Sequence, residues 1–326
     1  MLWQSALATF AIALLGLKGL VSHRGPRLVL DHPNERSLHE RPVPRTGGIA
    51  IIAGVAGGWA VAGTGFAAAL TLAAALAVLS VLDDIFGLPT ALRLGAHLAA
   101  AVALVALELR FPGWTLFVVF VLALAWYANL YNFMDGSDGL AGGMAVIGFG
   151  AYAVAAYLSG AQPLATVCAL LAAGAAAFLT RNFPPASIFM GDVGSVPLGF
   201  LAGGLGLVGW NDGVWPLWFP LLVFAPFVCD ATLTLLRRLA RRERVWQAHR
   251  DHYYQRLVRM GYGHRGTVFI EYAAMLACAL AAVLARNVSV AGQAGTLAGV
   301  AAALGVIAIW VDVRWTRHVR DTEGTA

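Results

Sequence analysis

Charged residues and cysteines are both scarce in this sequence of 326 residues. Only 12% of the residues are charged and 60% are hydrophobic, which predicts an integral membrane protein. Cys168, Cys229 and Cys278 lie in apolar stretches without paired spacing, so we expect packing residues and neither disulfides nor metal ligands. No basic segment precedes the first apolar run, which we therefore expect to be an anchoring helix and not a cleaved signal peptide.

Eleven apolar runs are long enough, or nearly long enough, to cross a bilayer. They predict an all-α polytopic membrane protein that forms a single domain over residues 1–326. The runs are 2–22, 47–64, 66–82, 91–109, 114–131, 140–158, 163–180, 195–210, 215–236, 267–285 and 291–312. In the ninth run, Pro216, Pro220 and Pro226 should kink the helix and open a groove at membrane depth.

The distribution of basic residues predicts the orientation in the membrane. With the N-terminus outside, the inner segments hold 19 of the 22 lysines and arginines, and the C-terminus is cytoplasmic. These inner segments are 23–46, 83–93, 132–139, 181–194, 237–266 and 313–326. Basic inner loops facing anionic lipid also account for the net charge of +5 without a nucleic-acid partner.

A polar stretch from 129 to 140 separates two strongly apolar runs. Its carboxylates, Asp135 and Asp138, stand at a membrane boundary, where burying an unpaired polar group costs several kcal/mol. One interpretation is an ordinary loop in which Asp138 caps the following helix. That interpretation leaves Asn129, Asn132 and Asp135 unexplained, so a functional site is the stronger hypothesis.

Further carboxylates occur at two other predicted inner helix ends. Asp83 and Asp84 close the third run, where acidic side chains oppose the dipole of a helix C-terminus. Asp192 precedes the eighth run, between two glycines that permit a tight loop. Carboxylates gathered on one membrane face repel one another unless a cation lies among them, and oxygen ligands are typical of a hard-cation site.

Two inner loops carry donors suited to phosphate oxygens. They are Arg41, Arg45 and Thr46 in the first loop and His249, His252 and Arg256 in the last. The alternative for the first loop is an ordinary basic inner loop. If the last segment is helical, its histidines, Tyr253 and arginine share one face.

Several motifs in this order resemble one family. They are Pro33-Asn34 with His39, Gly47-Gly48, Asp83-Asp84, residues 129–140, residues 182–195 and the loop at His249. The pattern resembles the polyprenyl-phosphate N-acetylhexosamine-1-phosphate transferases, which include the phospho-MurNAc-pentapeptide translocases. This resemblance implies a bacterial inner-membrane enzyme, active on the cytoplasmic face, that transfers a sugar 1-phosphate from a UDP-sugar to undecaprenyl phosphate and releases UMP. It also implies Mg²⁺, with Mn²⁺ and a homodimer left open.

The resemblance assigns roles position by position. Catalytic roles fall on Asp83, Asp84 and Asp135, and metal ligation falls on Asn132, Asp135 and Asp192. Nucleotide contacts fall on Asp138, Asn182 and Phe189, together with Gly136. From their hydrogen-bonding chemistry, we expect contacts to the diphosphate and sugar from Arg45, Thr46, His249, His252 and Arg256. Whether Asp83 is a base or a positioning group, and whether the reaction is a single or double displacement, stay open.

The donor sugar depends on the last inner loop. Many relatives carry a denser histidine cluster, whereas this loop has His249-Arg-Asp-His252. That pattern resembles the branch initiating O-antigen and surface polysaccharides, whose donors are UDP-GlcNAc or UDP-6-deoxy-HexNAc such as UDP-FucNAc or UDP-QuiNAc. A phospho-MurNAc-pentapeptide transferase is the alternative. Three other classes fit the sequence less well. A transporter would place its ionisable groups near the membrane midplane, and a CDP-alcohol phosphotransferase would continue its motif differently after Asp135. An inactive scaffold would not need the acidic residues.

Overall fold

A computed structural model describes residues 1–22, 30–31, 38, 42–111, 113–244 and 249–323 of the chain, and only the backbone of residue 323. The helices are α1 Leu2–Val21, α2 Gly47–Ala62, α3 Ala67–Phe86, α4 Thr90–Glu108, α5 Trp114–Phe133, α6 Leu140–Leu158, α7 Gln162–Asn182, α8 Asp192–Asn211, α9 Trp218–Val223, α10 Ala225–Ala240, α11 Tyr253–Leu257, α12 Gly263–Ala285 and α13 Val290–Glu323. A π-helical turn, Val258–Tyr262, joins α11 to α12. Two short antiparallel strands, β1 Leu30–Asp31 and β2 Val43–Pro44, complete the described elements.

The prediction of an all-α polytopic membrane protein is confirmed. Within the described part of the chain, nine helices are long and apolar enough to span a bilayer. The other two predicted spans differ from simple crossings. Helix α2 has 16 residues, and the ninth run is divided into α9 and α10. The division follows from proline chemistry, because Pro226 lacks an N–H and stands in the first turn of α10.

Helix α8 lies at the centre of the bundle, and every residue from Val193 to Gly209 is buried. Its glycines allow close approach of neighbouring helices. A Cβ on Gly199 would lie 2.4 Å from the carbonyl oxygen of Tyr127 in α5, and one on Gly209 would overlap the ring of Trp215. Small residues at such contacts let helices pack tightly in lipid.

The start of α8 is also fixed against the start of α2. A Cβ on Gly48 would lie 2.3 Å from the backbone nitrogen of Gly194, so the two backbones are in direct contact. Backbone hydrogen bonds from Gly47 to Phe189 and from Gly48 to Met190, both 2.9 Å long, hold the preceding segments together. The end of the first inner loop therefore lies beside the segment that leads into Asp192.

Candidate active site

Two cavities open beside the start of α8. Cavity A has a volume of about 290 Å³ and is lined by residues that include Asp31, Arg45, Asp135, Asp138, Phe189 and His264. Cavity B has a volume of about 420 Å³ and is lined by residues that include Leu79, Asp83, Arg93, Leu94, His97, Leu235, His249 and His252. Asn132, Asp192 and Gln255 line both cavities, so the two meet at these side chains.

Asp135 and Asp192 form an acidic pair at this junction. The backbone N–H of Gly191 donates to the carboxylate of Asp135, and the amide of Asn132 donates to Asp192. Burial, and then the neighbouring Asp192 carboxylate, raise the pKa of Asp135 well above its usual range. A bound cation would remove this penalty, because it stabilises both carboxylates in their ionised form.

The donor set at the junction fits Mg²⁺. No group of three or more His, Cys, Asp or Glu side chains is arranged to hold a metal ion within the described ranges. Mg²⁺ does not need such a cage, because it is usually held by one or two carboxylates together with substrate phosphates and water. The Asn132 amide oxygen accepts a 2.7 Å hydrogen bond from the Ser195 hydroxyl. This bond fixes the orientation of the amide group that donates to Asp192. Direct ligation of a metal by Asn132 stays a prediction.

Gly191 positions both members of the acidic pair. Its φ of +70° lies in the left-handed region, and a Cβ there would lie 2.3 Å from the carbonyl oxygen of Arg45. Its own N–H contacts Asp135, and the next residue is Asp192. A glycine is therefore required at this point for two separate reasons, backbone conformation and space.

The neighbouring acids of α3 have different partners. Asp83 accepts hydrogen bonds of 2.8 Å from the backbone of Leu88 and from the guanidinium of Arg93, and it lines cavity B. Asp84 forms an ion pair with Arg45, which lines cavity A. Both lie in the last turn of α3, beyond the predicted end of the run at 82, and their side chains diverge because successive helical positions differ by about 100°.

Asn182 and Asp138 join two inner loops. The Asn182 side chain accepts from the backbone of Gly139 at 2.9 Å and donates to the carbonyl of Ile188 at 3.0 Å. Asp138 accepts from the backbone of Ala186 at 2.9 Å. Because the Asn182 amide is used on both sides inside the protein, its clearest role is to hold the two loops in register. Asp138, Asn182, Phe189 and Gly136 nevertheless all line cavity A.

Two tyrosines clamp the polar stretch that follows α5. The Tyr254 hydroxyl donates to the carbonyl of Phe133 at 3.1 Å, and the Tyr272 hydroxyl donates to the carbonyl of Gly139 at 2.7 Å. A Cβ on Gly136 would lie 2.1 Å from the Tyr254 hydroxyl oxygen, so this glycine makes room for the clamp. The loop that carries Asp135 is thus held at both ends.

Asp230 organises the last inner loop. Its carboxylate accepts from the His252 ring and from the backbone N–H groups of Tyr253 and Tyr254, each at 3.0 Å. His252 and His249 line cavity B, with ring centroids 4.9 Å apart. Burial, the adjacent His252 and the charge of Arg238 lower the pKa of His249 to about 4, so that ring is neutral at physiological pH.

Arg256 and Thr46 line neither cavity. Arg256 is 7% exposed and forms a 3.0 Å ion pair with Asp312 of α13, so its guanidinium contacts a helix and neither cavity. Thr46 is buried immediately before α2. Arg45, His249 and His252 do line the cavities. Arg41 and the motif at Pro33-Asn34 and His39 lie outside the described residues.

Several cavity residues were not identified from sequence. They are Arg93, His97, Gln255 and His264, together with Asp230 behind His252. His264 accepts from the Asp138 backbone through Nδ1 at 3.2 Å, so its proton resides on Nε2, which contacts the Leu38 carbonyl oxygen at 3.1 Å. The spacing of Arg93 and His97, four residues apart on α4, was the available signal for that pair.

The sequence of the chain is similar to those of known proteins over most of its length. The protein-family model described as Glycosyl transferase family 4 matches residues 66–209 of the sequence. This range includes Asp83-Asp84, the polar stretch and Asp192. The chain is 29% identical over 280 residues to a probable undecaprenyl-phosphate N-acetylglucosaminyl 1-phosphate transferase of Bacillus subtilis, covering 80% of this chain and 78% of that protein.

Two other relatives bear related names. A decaprenyl-phosphate N-acetylglucosaminephosphotransferase of Mycobacterium tuberculosis is 28% identical over 295 residues, covering 74% of this chain and 72% of that protein. A phospho-N-acetylmuramoyl-pentapeptide-transferase of Lactobacillus delbrueckii is 42% identical over 123 residues, 38% of this chain and 36% of that protein. Residues 66–209 match glycosyl transferase family 4, and the relatives bear the names of polyprenyl-phosphate N-acetylhexosamine-1-phosphate transferases, the family that the motifs resemble.

Proposed function

We propose that the protein transfers an N-acetylhexosamine 1-phosphate from a UDP-sugar to undecaprenyl phosphate and releases UMP. The observation that carries this proposal is the meeting of two cavities at Asn132, Asp192 and Gln255. A transfer between two substrates needs adjoining sites with a shared boundary, and these cavities provide one. The names of the Bacillus and Mycobacterium relatives support the same reaction.

Cavity A suits the nucleotide-sugar donor. It is the more polar of the two, and Arg45 and the backbone of the polar stretch supply hydrogen-bond donors for phosphate oxygens. Phe189 offers a ring surface on which a base can stack. A donor placed in cavity A directs its diphosphate toward Asp135 and Asp192.

Cavity B suits the lipid acceptor. Leu79, Leu94 and Leu235 line it, so an isoprenoid chain finds apolar contacts there. Arg93 supplies positive charge for the phosphate, and its guanidinium is held in place by Asp83 at 2.8 Å. The phosphate then lies between apolar side chains and the junction with cavity A.

The reaction requires one bond to form and one to break. An oxygen of the acceptor phosphate attacks the sugar-bearing phosphorus, and the bond from that phosphorus to the bridging oxygen breaks, so UMP departs with the electron pair. A phosphomonoester has a second pKa of about 6, so the acceptor is mainly a dianion at neutral pH and needs no base. Asp83 acts as a positioning residue, because both of its oxygens are already hydrogen-bonded.

We further propose that Mg²⁺ supports this step, held by Asp135 and Asp192. When bound, the ion neutralises diphosphate charge and stabilises the departing UMP. The chain contributes the fixed geometry, since Gly191 and Asn132 orient the two carboxylates. Preorganised charges of this kind need no rearrangement as the bond breaks.

For the donor we propose UDP-GlcNAc or a UDP-6-deoxy-HexNAc, in the initiation of a cell-envelope glycan. Both relatives that cover most of the chain have N-acetylglucosamine in their names. The relative named for muramoyl-pentapeptide matches only 38% of the chain. The sparse histidine loop at His249 and His252 also favours the smaller donors.

UMP release from the purified protein tests the reaction. Each donor, including UDP-MurNAc-pentapeptide, should be supplied with and without undecaprenyl phosphate and Mg²⁺. We expect UMP only when all three components are present and with a HexNAc donor lacking the peptide. Release that does not depend on the lipid would contradict transfer, and preference for the pentapeptide donor would overturn the proposed sugar.

We also propose that the site faces the cytoplasm of a bacterial inner membrane. Ser187 and Asp212 are both exposed and lie before and after α8. A cysteine at Ser187 should react with a membrane-impermeant maleimide only from inside, and one at Asp212 only from outside. The reverse pattern, or equal labelling of both from one side, would overturn this orientation.

A further inference from the structure

His97 is a buried polar side chain that the proposed reaction does not yet use. It lies on α4, is 8% exposed, and lines cavity B one helical turn beyond Arg93. A buried imidazole needs hydrogen-bond partners for both ring nitrogens. The structure supplies a protein partner for only one of them within the described part of the chain.

Asn129 determines which ring nitrogen carries the proton. Its Nδ2 donates to the carbonyl oxygen of Ala125 at 2.7 Å, and a carbonyl can only accept, so the amide orientation is fixed. The same Nδ2 lies 3.2 Å from Nδ1 of His97. Nδ1 must therefore accept, and in the neutral ring the proton resides on Nε2.

The Nε2–H group of His97 is left to the cavity. Among the described residues, none forms a hydrogen bond with Nε2. This atom is also absent from the set of fully buried polar atoms without partners in that part of the chain, so it is accessible from the cavity. Leucines and polar side chains together line this cavity, and the accessible Nε2–H needs an acceptor that enters it. A ligand with several acceptor oxygens meets this requirement.

We propose that the Nε2–H of His97 donates to an oxygen of the acceptor's phosphomonoester, and that Asn129 holds His97 in the tautomer that can donate. The inference rests on the proposed function and deepens it by naming a phosphate-recognition residue in cavity B. Arg93 and His97, on one face of α4, then contact the phosphate together. This role also accounts for Asn129, the first polar position of the stretch 129–140.

Binding by the full-length protein in detergent tests the contact without turnover. Farnesyl phosphate, farnesol and inorganic phosphate are titrated by calorimetry into wild type, His97→Ala and His97→Gln. We expect His97→Ala to bind farnesyl phosphate about 10- to 100-fold more weakly, the range for a lost hydrogen bond to a charged group. His97→Gln should recover most of this affinity, because its amide also donates.

Three results would overturn the contact. The first is unchanged farnesyl phosphate affinity in His97→Ala, and the second is equal weakening for farnesol, which has no phosphate. The third is that inorganic phosphate binds as tightly as farnesyl phosphate and loses the same affinity in His97→Ala. That result would identify a site for free phosphate. UMP affinity should be unchanged in both variants, and a parallel loss would indicate a general structural defect and refute a local role.

Nitrogen NMR of ¹⁵N-histidine-labelled protein tests the tautomer directly. The signals absent from His97→Gln identify this ring among the eight histidines. We expect protonated Nε2 and unprotonated Nδ1 in wild type, and mixed tautomers with weaker farnesyl phosphate binding in Asn129→Leu. A wild-type ring protonated at Nδ1 would contradict the inference.

These measurements separate the two proposals. If no UDP-sugar yields UMP, the proposed function fails, whereas the tautomer and the binding series still decide the role of His97. If UMP release succeeds but His97→Ala binds the lipid normally and keeps its KM for undecaprenyl phosphate, only the role of His97 fails.

Discussion

Substitution of Gly191 by alanine tests how the acidic pair is positioned, and the chain offers a matched control. Gly191 and Gly213 flank the two ends of α8 and both have φ of +70°. A Cβ on Gly213 meets nothing within 4 Å, whereas a Cβ on Gly191 would lie 2.3 Å from the carbonyl oxygen of Arg45. The two variants therefore share a positive φ, but Gly191 also has ψ of 169° and only Gly191 has the steric overlap.

A sparsely populated backbone conformation of this kind costs a residue with a Cβ about 1–3 kcal/mol, and the combination of φ and ψ at Gly191 is adopted almost only by glycine. The overlap at Gly191 adds a displacement of about 1 Å, since ordinary contact begins at 3.4 Å. Gly191 donates to Asp135 and precedes Asp192, so this displacement passes to both carboxylates. A misplacement of 1 Å can lower a rate by about 10²-fold.

UMP release at saturating substrates should therefore fall about 100-fold in Gly191→Ala and by less than about threefold in Gly213→Ala. Thermal unfolding in detergent provides the comparison of stability, and we expect both midpoints to fall. Equal turnover of the two folded variants would refute the idea that the contact with the Arg45 carbonyl positions the acidic pair.

Three other predictions follow from the same contacts. Asp192→Asn should lose more than about nine tenths of turnover, which corresponds to at least about 1.4 kcal/mol of barrier stabilisation. The control Asp212→Asn, on an exposed loop, should keep wild-type turnover. Equal turnover of the two variants would exclude the metal assignment. Because burial raises the pKa of Asp135 above its unfolded value of 3.8, the folded metal-free protein binds the extra proton. The free energy of unfolding of the metal-free protein should thus fall as pH rises above about 4, by up to about 1.4 kcal/mol per pH unit. Unfolding measured in EDTA should show a weaker dependence of this free energy on pH for Asp135→Asn than for wild type. Arg256→Ala should lower unfolding stability by about 1.5–3 kcal/mol and leave the KM for UDP-sugar unchanged. Asp312 also pairs with Arg237, so Asp312→Asn should cost some stability in any background. A smaller loss from Asp312→Asn in Arg256→Ala than in wild type would confirm the pair, whereas equal losses would argue against it.

The helices were the most predictable part of the molecule. Hydrophobic runs of about 20 residues have one stable arrangement in a bilayer, because their backbone groups must bond internally. The glycines and acids of residues 182–195 also indicated a tight turn, and Gly191 has the positive φ that such a turn requires. From the sequence, the polar side chains at helix ends were expected to lie near one another, and the acids of separate runs line adjoining cavities.

Side-chain partners across helices were not predictable. Arg256 carries a charge suited to phosphate, and only the packing of α11 on α13 shows that Asp312 occupies it. Asp230 was not identified from sequence, although it orients His252 from 22 residues away in sequence. Such pairs depend on helix rotation and tilt, which hydrophobic periodicity leaves undetermined.

The junction at Asp192 has a consequence for inhibitor design. One molecule that joins a uridine-like group to an isoprenoid-like chain through a short anionic bridge would occupy cavities A and B together. Linking turns the second contact into an intramolecular event, so affinity can exceed that of either fragment by about 10²- to 10⁴-fold when the bridge has the right length. Asn132, Asp192 and Gln255, which line both cavities, mark where that bridge must pass.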